Sequence, residues 1–263
     1  MSKLKYNRLE EVNYKIILEK LKKNNYVIVD GIFKKKEVEA VLNKIKTEIP
    51  KLKDHACIGE NASDIMKNYT KLIVGGKMNS WDYRPRCLRV MYNPIWSKNI
   101  FGAKNLFIKL SQFRNILQGY PKNFAIKKIE KNLWTASRIQ QYHSGGGFFS
   151  KHKDFVLKTV TTNVKIRKFL QIILLLTSKG KDFKNGGAYI IDKKGKKIDL
   201  EKNAKAGSII LYNSFTEHGV DEIDPQKVIE MNSGKGRIVL IASLYKFFKN
   251  KKNYGEFKKY FKN

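Results

Sequence analysis

The segment RIQQYHSGGGFFSKHKD, residues 138–154, carries the pattern that decides the fold. It is typical of a strand, a turn rich in glycine, and a second strand that contains HKD. Because alternate residues of a strand face the same side, His152 and Asp154 are predicted to share a face, where they could bind one divalent metal ion. The alternative is a surface His and Asp, which is common for an H-x-D pair. Tyr142, on the first strand, either gives its hydroxyl to a ligand beside the metal or is an aromatic core residue.

A third metal ligand is expected at His218. The chain has 4 His, and His218, in the segment TEHGV, lies downstream of HKD and follows the apolar segment SIILYN at 208–213. Two His and one carboxylate leave coordination positions open and suit non-haem Fe(II). Taken alone, His218 could equally be a capped turn residue. The three glycines before HKD are not followed by a helix or a Lys-Ser/Thr pair, which excludes a P-loop.

Arg237 opens another apolar strand, in the segment GRIVLIASLYKF at 236–247. Strand alternation places Arg237 on one face and Ile238 on the other. A guanidinium inside a β core needs an anion, because an unpaired buried charge is very costly. A bound dicarboxylate could supply that anion through a bidentate pair. The alternative is an ion pair with a nearby acid, for which Asp221, Glu222 and Asp224 are candidates.

Composition and charge limit the class of protein. The chain has 263 residues, of which 42% are hydrophobic, so it can bury a sizeable core. No apolar run is long enough for a transmembrane helix, and the charged start resembles no signal peptide. Cys57 and Cys87 make no disulfide framework, so a cytoplasmic location is expected. The net charge of +31 comes mostly from Lys. It therefore indicates a basic solvated surface rather than specific nucleic-acid binding, and it is compatible with an anionic substrate.

Helical patterns dominate the first part of the chain and strand patterns dominate the rest. Helices are predicted over 9–23, 38–49 and 104–118, and strands over 26–30, 86–93, 136–143, 151–157, 167–177, 187–192, 208–212, 217–222 and 236–246. Many short strands favour a sandwich or barrel, with the early helices packed against it. The tail at 249–263 is interpreted as a helix whose aromatic face packs on the barrel; a membrane-surface or nucleic-acid element is the alternative.

The order of these motifs resembles the Fe(II)/2-oxoglutarate-dependent dioxygenases. The segments that carry the resemblance are YHSGGG, HKD, FLQIILLL, FKNGGAYIID, AGSIILY, HGV and GRIVL, in that order along the chain. The likeness is to the prolyl-4-hydroxylase-like branch, with some similarity to the phytanoyl-CoA dioxygenase branch, whose Pro-Gly-Ser-His signature is absent. It covers roughly residues 9–49 and 134–248.

The resemblance implies an α+β fold, in which N-terminal helices buttress a double-stranded β-helix (jelly roll). It implies one domain over 1–263, with a mainly helical lead-in at 1–123 and the jelly-roll core at 124–248. Iron would bind to His152, Asp154 and His218, and 2-oxoglutarate to Arg237 with help from Tyr142. Arg237 lies further from His218 than is usual in the family, and 221–236 is interpreted as an extended loop that absorbs the difference.

The resemblance also implies the chemistry: O₂ as co-substrate, with release of succinate and CO₂. Halogenases of the superfamily carry a small residue where this chain has Asp154, so hydroxylation is expected. A small molecule with an anionic group is the expected substrate. The alternatives are an oxygenase that modifies a protein, glycan or nucleic acid, and a non-enzymatic metal-binding jelly roll. Candidate substrate contacts are Arg84, Arg86, Arg89 and Gln171, each of which could instead be a surface or packing residue.

Overall fold

The structure is a computed structural model, and it describes residues 2–56, 62–75, 85–154 and 170–247. Several predicted features lie outside these residues: Cys57, Arg84, residues 155–157 and 167–169 of two predicted strands, and the tail at 249–263. The described part is mostly β structure with few helices. None of its helices is long and apolar enough to cross a membrane.

Within the described residues, thirteen strands form two sheets that are largely antiparallel. The larger sheet has the order β1-β2-β11-β8-β13-β6-β5-β3, and the smaller has the order β10-β9-β12-β7-β4. The strands are β1 Lys3–Lys5, β2 Tyr26–Asp30, β3 Tyr69–Ile73, β4 Pro85–Arg86, β5 Leu88–Tyr92, β6 Leu133–His143, β7 Gly147–His152, β8 Leu170–Leu175, β9 Gly187–Ile191, β10 Lys197–Asp199, β11 Ile209–Asn213, β12 His218–Ile223 and β13 Gly236–Lys246. From β6 onward the chain passes repeatedly between the two sheets. Most strands predicted for the second half are present with shifted ends, but the one predicted over 151–157 shares only Lys151 and His152 with β7.

Helices cover the outer face of the larger sheet. They are α1 Tyr14–Asn24, α2 Lys35–Glu48 and α4 Lys104–Leu117. The short α3 Ala62–Ile65 lies apart from them and packs Ile65 against the other face of β5. The apolar stripe predicted for α2 is confirmed, since Val38, Val41 and Ile45 are buried. The helix predicted over 9–23 begins only at Tyr14, because the Asn13 side chain caps it by accepting a hydrogen bond from the Ile16 backbone N–H at 3.2 Å.

Alternate residues of β13 belong to two different apolar cores. Ile238 and Leu240 pack in the core that the larger sheet shares with the helices. Val239 and Ile241 pack in the core between the sheets, together with Ile190 of β9. This period of two is what a strand covered on both faces requires. It also places Arg237, on the same face as Val239, between the two sheets.

Cys87 interrupts the strand predicted over 86–93. Its backbone has φ of 49°, in the left-handed region that few residues other than glycine adopt. The residues before it, in β4, pair with β7 of the smaller sheet, and those after it, in β5, pair with β6 of the larger sheet. The prediction of one continuous strand was therefore wrong, because the chain changes sheets at Cys87.

The glycine-rich turn carries the chain from β6 in the larger sheet to β7 in the smaller one. Gly145 and Gly146 have φ of 100° and 106°, and both donate backbone hydrogen bonds to the carbonyl of Ile223. A Cβ at Gly147 would lie 2.4 Å from the backbone nitrogen of His143. The turn therefore requires glycine for its conformation and for this close approach. It directs β7 toward the site described below.

Asp224 anchors the loop between β12 and β13 through several hydrogen bonds. This loop lies within the segment 221–236, which was predicted to be an extended loop. The Asp224 side chain is fully buried and accepts hydrogen bonds from Ser144 at 2.9 Å, from the backbone N–H groups of Lys184 and Asn185 at 2.7 and 2.8 Å, and from Lys227 at 2.8 Å. Burial alone would raise the pKa of Asp224, but these donors outweigh it and lower the pKa to about 2.

We expect Asp224 to make stability fall with acid. Its pKa is lower in the folded chain than in the unfolded one, so its contribution is present above about pH 4 and is lost as the pH falls from 4 to 2. The loss amounts to about 2 kcal/mol. Urea unfolding at pH 5 and pH 2.5 measures it. Asp224→Asn should be less stable than wild type at pH 5 and lose less stability between the two pH values, whereas the exposed control Glu19→Gln should follow wild type. Parallel pH curves for Asp224→Asn and wild type would contradict this.

Candidate metal centre

Two neighbouring strands of the smaller sheet place the three predicted metal ligands together. β7 ends at His152 and β12 begins at His218, and these two residues are paired across the strands. Asp154 lies two residues beyond β7, where its backbone N–H donates to the carbonyl of Ser214 at 2.9 Å. One ligand atom from each of His152, Asp154 and His218 lies within 4.8 Å of the others.

A β-bulge, not strict alternation, brings His152 to this face. β12 advances two residues, from His218 to Val220, while β7 takes three, from Phe149 to His152. The extra residue turns His152 to the side of Phe149, and the two rings stack with centroids 4.1 Å apart. The prediction that His152 and Asp154 lie on one strand was wrong, because β7 ends at His152. Asp154 reaches the site from the segment that follows.

Backbone carbonyls orient both imidazoles. The Nδ1 atom of His152 donates to the carbonyl of Ser150 at 2.7 Å, and Nδ1 of His218 donates to the carbonyl of Thr216 at 2.8 Å. Both Nε2 atoms therefore carry the free lone pair and face Asp154. They lie 3.6 Å (His152) and 3.5 Å (His218) from the two carboxylate oxygens. Metal-binding His residues are commonly fixed in this way, with the other ring nitrogen bonded to a carbonyl.

The charge of Asp154 is stabilised within the site. Burial by itself would raise the pKa of Asp154, but the neighbouring imidazoles of His152 and His218 outweigh it, and the pKa of the carboxyl lies well below its usual range. Burial would lower the pKa of His218, but Asp154 raises it overall. An ionised carboxylate and two imidazole Nε2 atoms within 4.8 Å of one another fit a divalent metal ion and leave its other positions open.

Gln171 donates a hydrogen bond to the carboxylate of Asp154. It lies on β8 of the opposite sheet and is 7% exposed. Its side-chain amide donates to Oδ2 of Asp154 at 2.6 Å. Sequence analysis named Gln171 as a candidate substrate contact. The structure brings it to the predicted metal site, where its amide holds a ligand in place.

We expect Gln171→Ala to weaken Fe(II) binding about 10-fold to 100-fold, the usual effect of removing a residue that orients a metal ligand. The loss follows because Asp154 would keep its charge but lose the donor that fixes its Oδ2 atom. Anaerobic Fe(II) titration against a competing chelator measures the change. Gln112→Ala, on the exposed face of α4, is the matched control. Equal Fe(II) affinity in both variants would show that Gln171 does not orient Asp154.

Arg237 is buried between the sheets and paired with an acid that sequence analysis missed. Its Nε donates to Oε1 of Glu201 at 2.5 Å, and both side chains are 1% exposed. Its Cζ lies 5.2 Å from the centroid of the Tyr142 ring. Within the part of the chain that the structure describes, its Nη2 is buried without a hydrogen-bond partner. A carboxylate oxygen of a bound dicarboxylate would satisfy that donor, so the residues fit 2-oxoglutarate.

The local acids considered in the sequence analysis pair with Lys or Arg residues other than Arg237. Asp221 pairs with Lys197, Glu222 with Arg86, and Asp224 with Lys227. Glu201 follows β10, which is distant in sequence from β13. Its polar surroundings in the sequence carry no periodic pattern that would have identified it.

Two buried tyrosines contact residues of the candidate site, Tyr142 at Arg237 and Tyr212 at His218. Burial raises the pKa of Tyr142 to about 12 and that of Tyr212 well above its usual value. Asp154 raises the pKa of Tyr212 further, while Arg237 lowers it. The Tyr212 ring lies 4.8 Å from that of His218. Sequence analysis missed Tyr212, although alternation along SIILYN puts it on the face of Ile210, which packs between the sheets.

The structure does not bring Arg86 or Arg89 to the metal ligands. Arg86 lies over the ring of Phe148 at 4.6 Å and pairs with Glu222 at the surface. Arg89 is buried on the helix side of the larger sheet, where it pairs with Asp54 at 2.8 Å and donates to the carbonyl of Met231 at 2.8 Å. Arg89 therefore lies in the position of a packing residue, which was the alternative to a substrate contact. Its hydrogen bond to Met231 also anchors the loop before β13.

Comparison with known proteins gives a result for structure only. No family model and no curated protein matches the chain. A prolyl-4-hydroxylase from Pseudomonas putida has a TM-score of 0.55 at 10% identity, covering 90% of this chain and 100% of that one. A prolyl hydroxylase from Trichoplax adhaerens, solved with a hypoxia inducible factor peptide fragment, has a TM-score of 0.54 at 12% identity, covering 92% of this chain and 91% of that one. The epimerase SnoN, solved with Fe³⁺, alpha ketoglutarate and nogalamycin RO, has a TM-score of 0.55 at 10% identity, covering 89% of this chain and 83% of that one.

These likenesses extend over nearly the whole chain. They agree with the two-sheet arrangement, and they include the prolyl-hydroxylase type that the sequence motifs resemble. The chain therefore has the fold of the Fe(II)/2-oxoglutarate-dependent oxygenase superfamily.

Proposed function

We propose that the protein is an Fe(II)- and 2-oxoglutarate-dependent dioxygenase. The observation that carries the proposal is the convergence of His152, Asp154 and His218, with both Nε2 atoms directed at the carboxylate by bonds to backbone carbonyls. This donor set is typical of non-haem iron oxygenases. The fold it shares with SnoN, which was solved with Fe³⁺ and alpha ketoglutarate, supports the same cofactors here.

We also infer that the two sheets form a double-stranded β-helix. Strands β6, β8, β11 and β13 belong to the larger sheet, while β7, β9, β10 and β12 belong to the smaller one. This repeated crossing between facing sheets is the pattern of a jelly roll. The predicted metal ligands would lie at one end of its interior and Arg237 deeper within it.

The chain's own residues bind and orient the reactants. When bound, Fe(II) and 2-oxoglutarate supply the activation of O₂ and the oxidative decarboxylation to succinate and CO₂ that drive substrate oxidation. His152, Asp154 and His218 would hold the metal, and Gln171 keeps the carboxylate in position. Arg237 would bind the distal carboxylate of 2-oxoglutarate.

Tyr142, with its pKa of about 12, stays protonated at neutral pH and would donate its hydroxyl to the co-substrate. The apolar residues between the sheets, such as Ile190 and Ile241, exclude water from the interior. A dry interior favours the oxidation of a bound substrate over side reactions with water.

We propose that the reaction is a hydroxylation of a small molecule with an anionic group. By the resemblance, Asp154 stands where halogenases of the superfamily carry a small residue, which favours hydroxylation. The net charge of +31 favours an anionic partner. An oxygenase that acts on a protein, glycan or nucleic acid is the second candidate. A non-enzymatic metal-binding protein is the third, and the buried Arg237, whose Nη2 has no hydrogen-bond partner among the described residues, argues against it.

The proposal is tested with purified protein, Fe(II), 2-oxoglutarate and O₂. We expect Fe(II) binding and slow formation of succinate without any substrate, and faster formation when a substrate is present. Screening succinate release first over small metabolites and then over peptides, glycans and oligonucleotides separates the first two candidates. If the protein neither binds Fe(II) nor forms succinate, the proposed function is wrong.

A further inference from the structure

We propose that Glu201 is a positioning residue that holds Arg237 for the co-substrate and limits how tightly the co-substrate binds. This inference rests on the proposed function. The side chains of Glu201 and Arg237 carry opposite charges and are buried together, although neither belongs to the predicted metal centre. Glu201 and Arg237 are each 1% exposed, so almost no solvent screens them from each other or from a ligand beside them.

The guanidinium of Arg237 is held by the carboxylate of Glu201 and by the ring of Tyr142. Oε1 of Glu201 accepts from Nε of Arg237 and also from the backbone N–H of Ala188 in β9 at 3.0 Å. The second bond ties the carboxylate to the smaller sheet. The ring of Tyr142, opposite Arg237 on β6, covers the guanidinium at 5.2 Å. Arg237 is therefore already ordered without a ligand, so ligand binding does not carry the entropic cost of ordering this side chain.

Glu201 also opposes the ligand that Arg237 would bind. Among the described residues, Nη2 of Arg237 and Oε2 of Glu201 are buried without hydrogen-bond partners. A distal carboxylate of 2-oxoglutarate could accept from Nη2. It could donate nothing to Oε2, and its charge has the same sign as that of Glu201. The pairing thus has two opposite effects on binding: it positions Arg237, and it repels the ligand's distal carboxylate.

Glu201→Gln separates the two effects. The amide keeps an acceptor for Arg237 and Ala188, removes the negative charge, and places a donor where Oε2 lies. We expect 2-oxoglutarate to bind at least about tenfold tighter to this variant than to wild type, since like charges nearby oppose each other strongly in a buried site. The ligand-free variant should melt at a lower temperature than wild type, and 2-oxoglutarate should raise its melting temperature more.

The measurement is anaerobic calorimetry of the Fe(II)-loaded protein with 2-oxoglutarate and, separately, with pyruvate. Pyruvate has the keto-acid group but no distal carboxylate, so its affinity should not change. Glu230→Gln, which removes an exposed carboxylate paired with Lys235, is the matched control and should leave both affinities at wild-type values. Glu201→Asp keeps the charge on a shorter side chain, so it should bind 2-oxoglutarate more weakly and pyruvate as wild type does.

The outcomes separate this inference from the proposed function. If wild type binds neither keto acid, the proposed function fails and this inference fails with it. If wild type binds 2-oxoglutarate but Glu201→Gln binds it equally or less tightly, only the role of Glu201 is overturned. If Glu201→Gln does not fold, Glu201→Asp decides: equal changes for 2-oxoglutarate and pyruvate, or no change, overturn the inference.

Discussion

Replacing Asp154 by alanine (Asp154→Ala) is expected to lower Fe(II) affinity by at least about 100-fold and to abolish turnover of 2-oxoglutarate. Loss of a residue that merely orients a ligand costs about 10-fold to 100-fold in metal affinity, and loss of the ligand itself costs more. Asp154 supplies the only negative charge among the three ligands. Its oxygens lie 3.6 and 3.5 Å from the two Nε2 atoms, so the variant leaves two neutral imidazoles to hold a divalent ion.

Two measurements check this expectation. Anaerobic titration against a chelator gives the Fe(II) affinity, and succinate release under O₂ gives the turnover. Glu19→Ala removes a carboxylate from the exposed face of α1 and should behave as wild type in both. If Asp154→Ala retained Fe(II) affinity and succinate formation, iron would have to bind elsewhere, and the proposed role of His152 and His218 would be wrong.

Arg237→Leu should destabilise the metal-free protein by about 3–5 kcal/mol, the usual cost of removing one partner from a buried ion pair. The cost arises because Glu201 would remain at 1% exposure without its counter-charge. The variant also loses the contact of the guanidinium with the Tyr142 ring. Under the proposed function, the same change removes the anchor of the distal carboxylate, so the KM for 2-oxoglutarate should rise.

A double variant separates charge from packing. Arg237→Leu combined with Glu201→Leu removes both charges, and apolar replacements of a buried pair are often neutral or stabilising. We expect the double variant to be more stable in urea unfolding than Arg237→Leu alone. Strictly additive losses would mean that the two side chains do not interact energetically, and the ion pair would then not account for the burial of Arg237.

The predicted metal ligands could be read from the sequence because few alternatives existed. The chain has 4 His, and local patterns placed His152, Asp154 and His218 near strands. The faces of β13 were also predictable, since a strand covered on both sides keeps its period of two. These inferences need only neighbouring residues, because the backbone geometry of a strand is the same in every fold.

The contacts around the ligands could not be read in this way. The bulge that turns His152 toward Phe149 depends on how β7 pairs with β12. The bond from Gln171 to Asp154 and the pair of Arg237 with Glu201 join residues from different strands. No short-range pattern encodes such pairs, because they form only when two sheets pack face to face. Cys87 likewise marks a change of sheet that its sequence neighbours do not reveal.

The sequence by itself thus determined which residues could bind a metal ion and which strand faces are buried, because both follow from side-chain chemistry and from strand periodicity. Only the tertiary structure decided how the site is completed. It gave the carboxylate of Asp154 its donor in Gln171, placed Tyr212 beside His218, and paired Arg237 with Glu201 rather than with a nearby acid. The physical reason is burial: a charge between two packed sheets takes whichever partner the packing brings within hydrogen-bond distance.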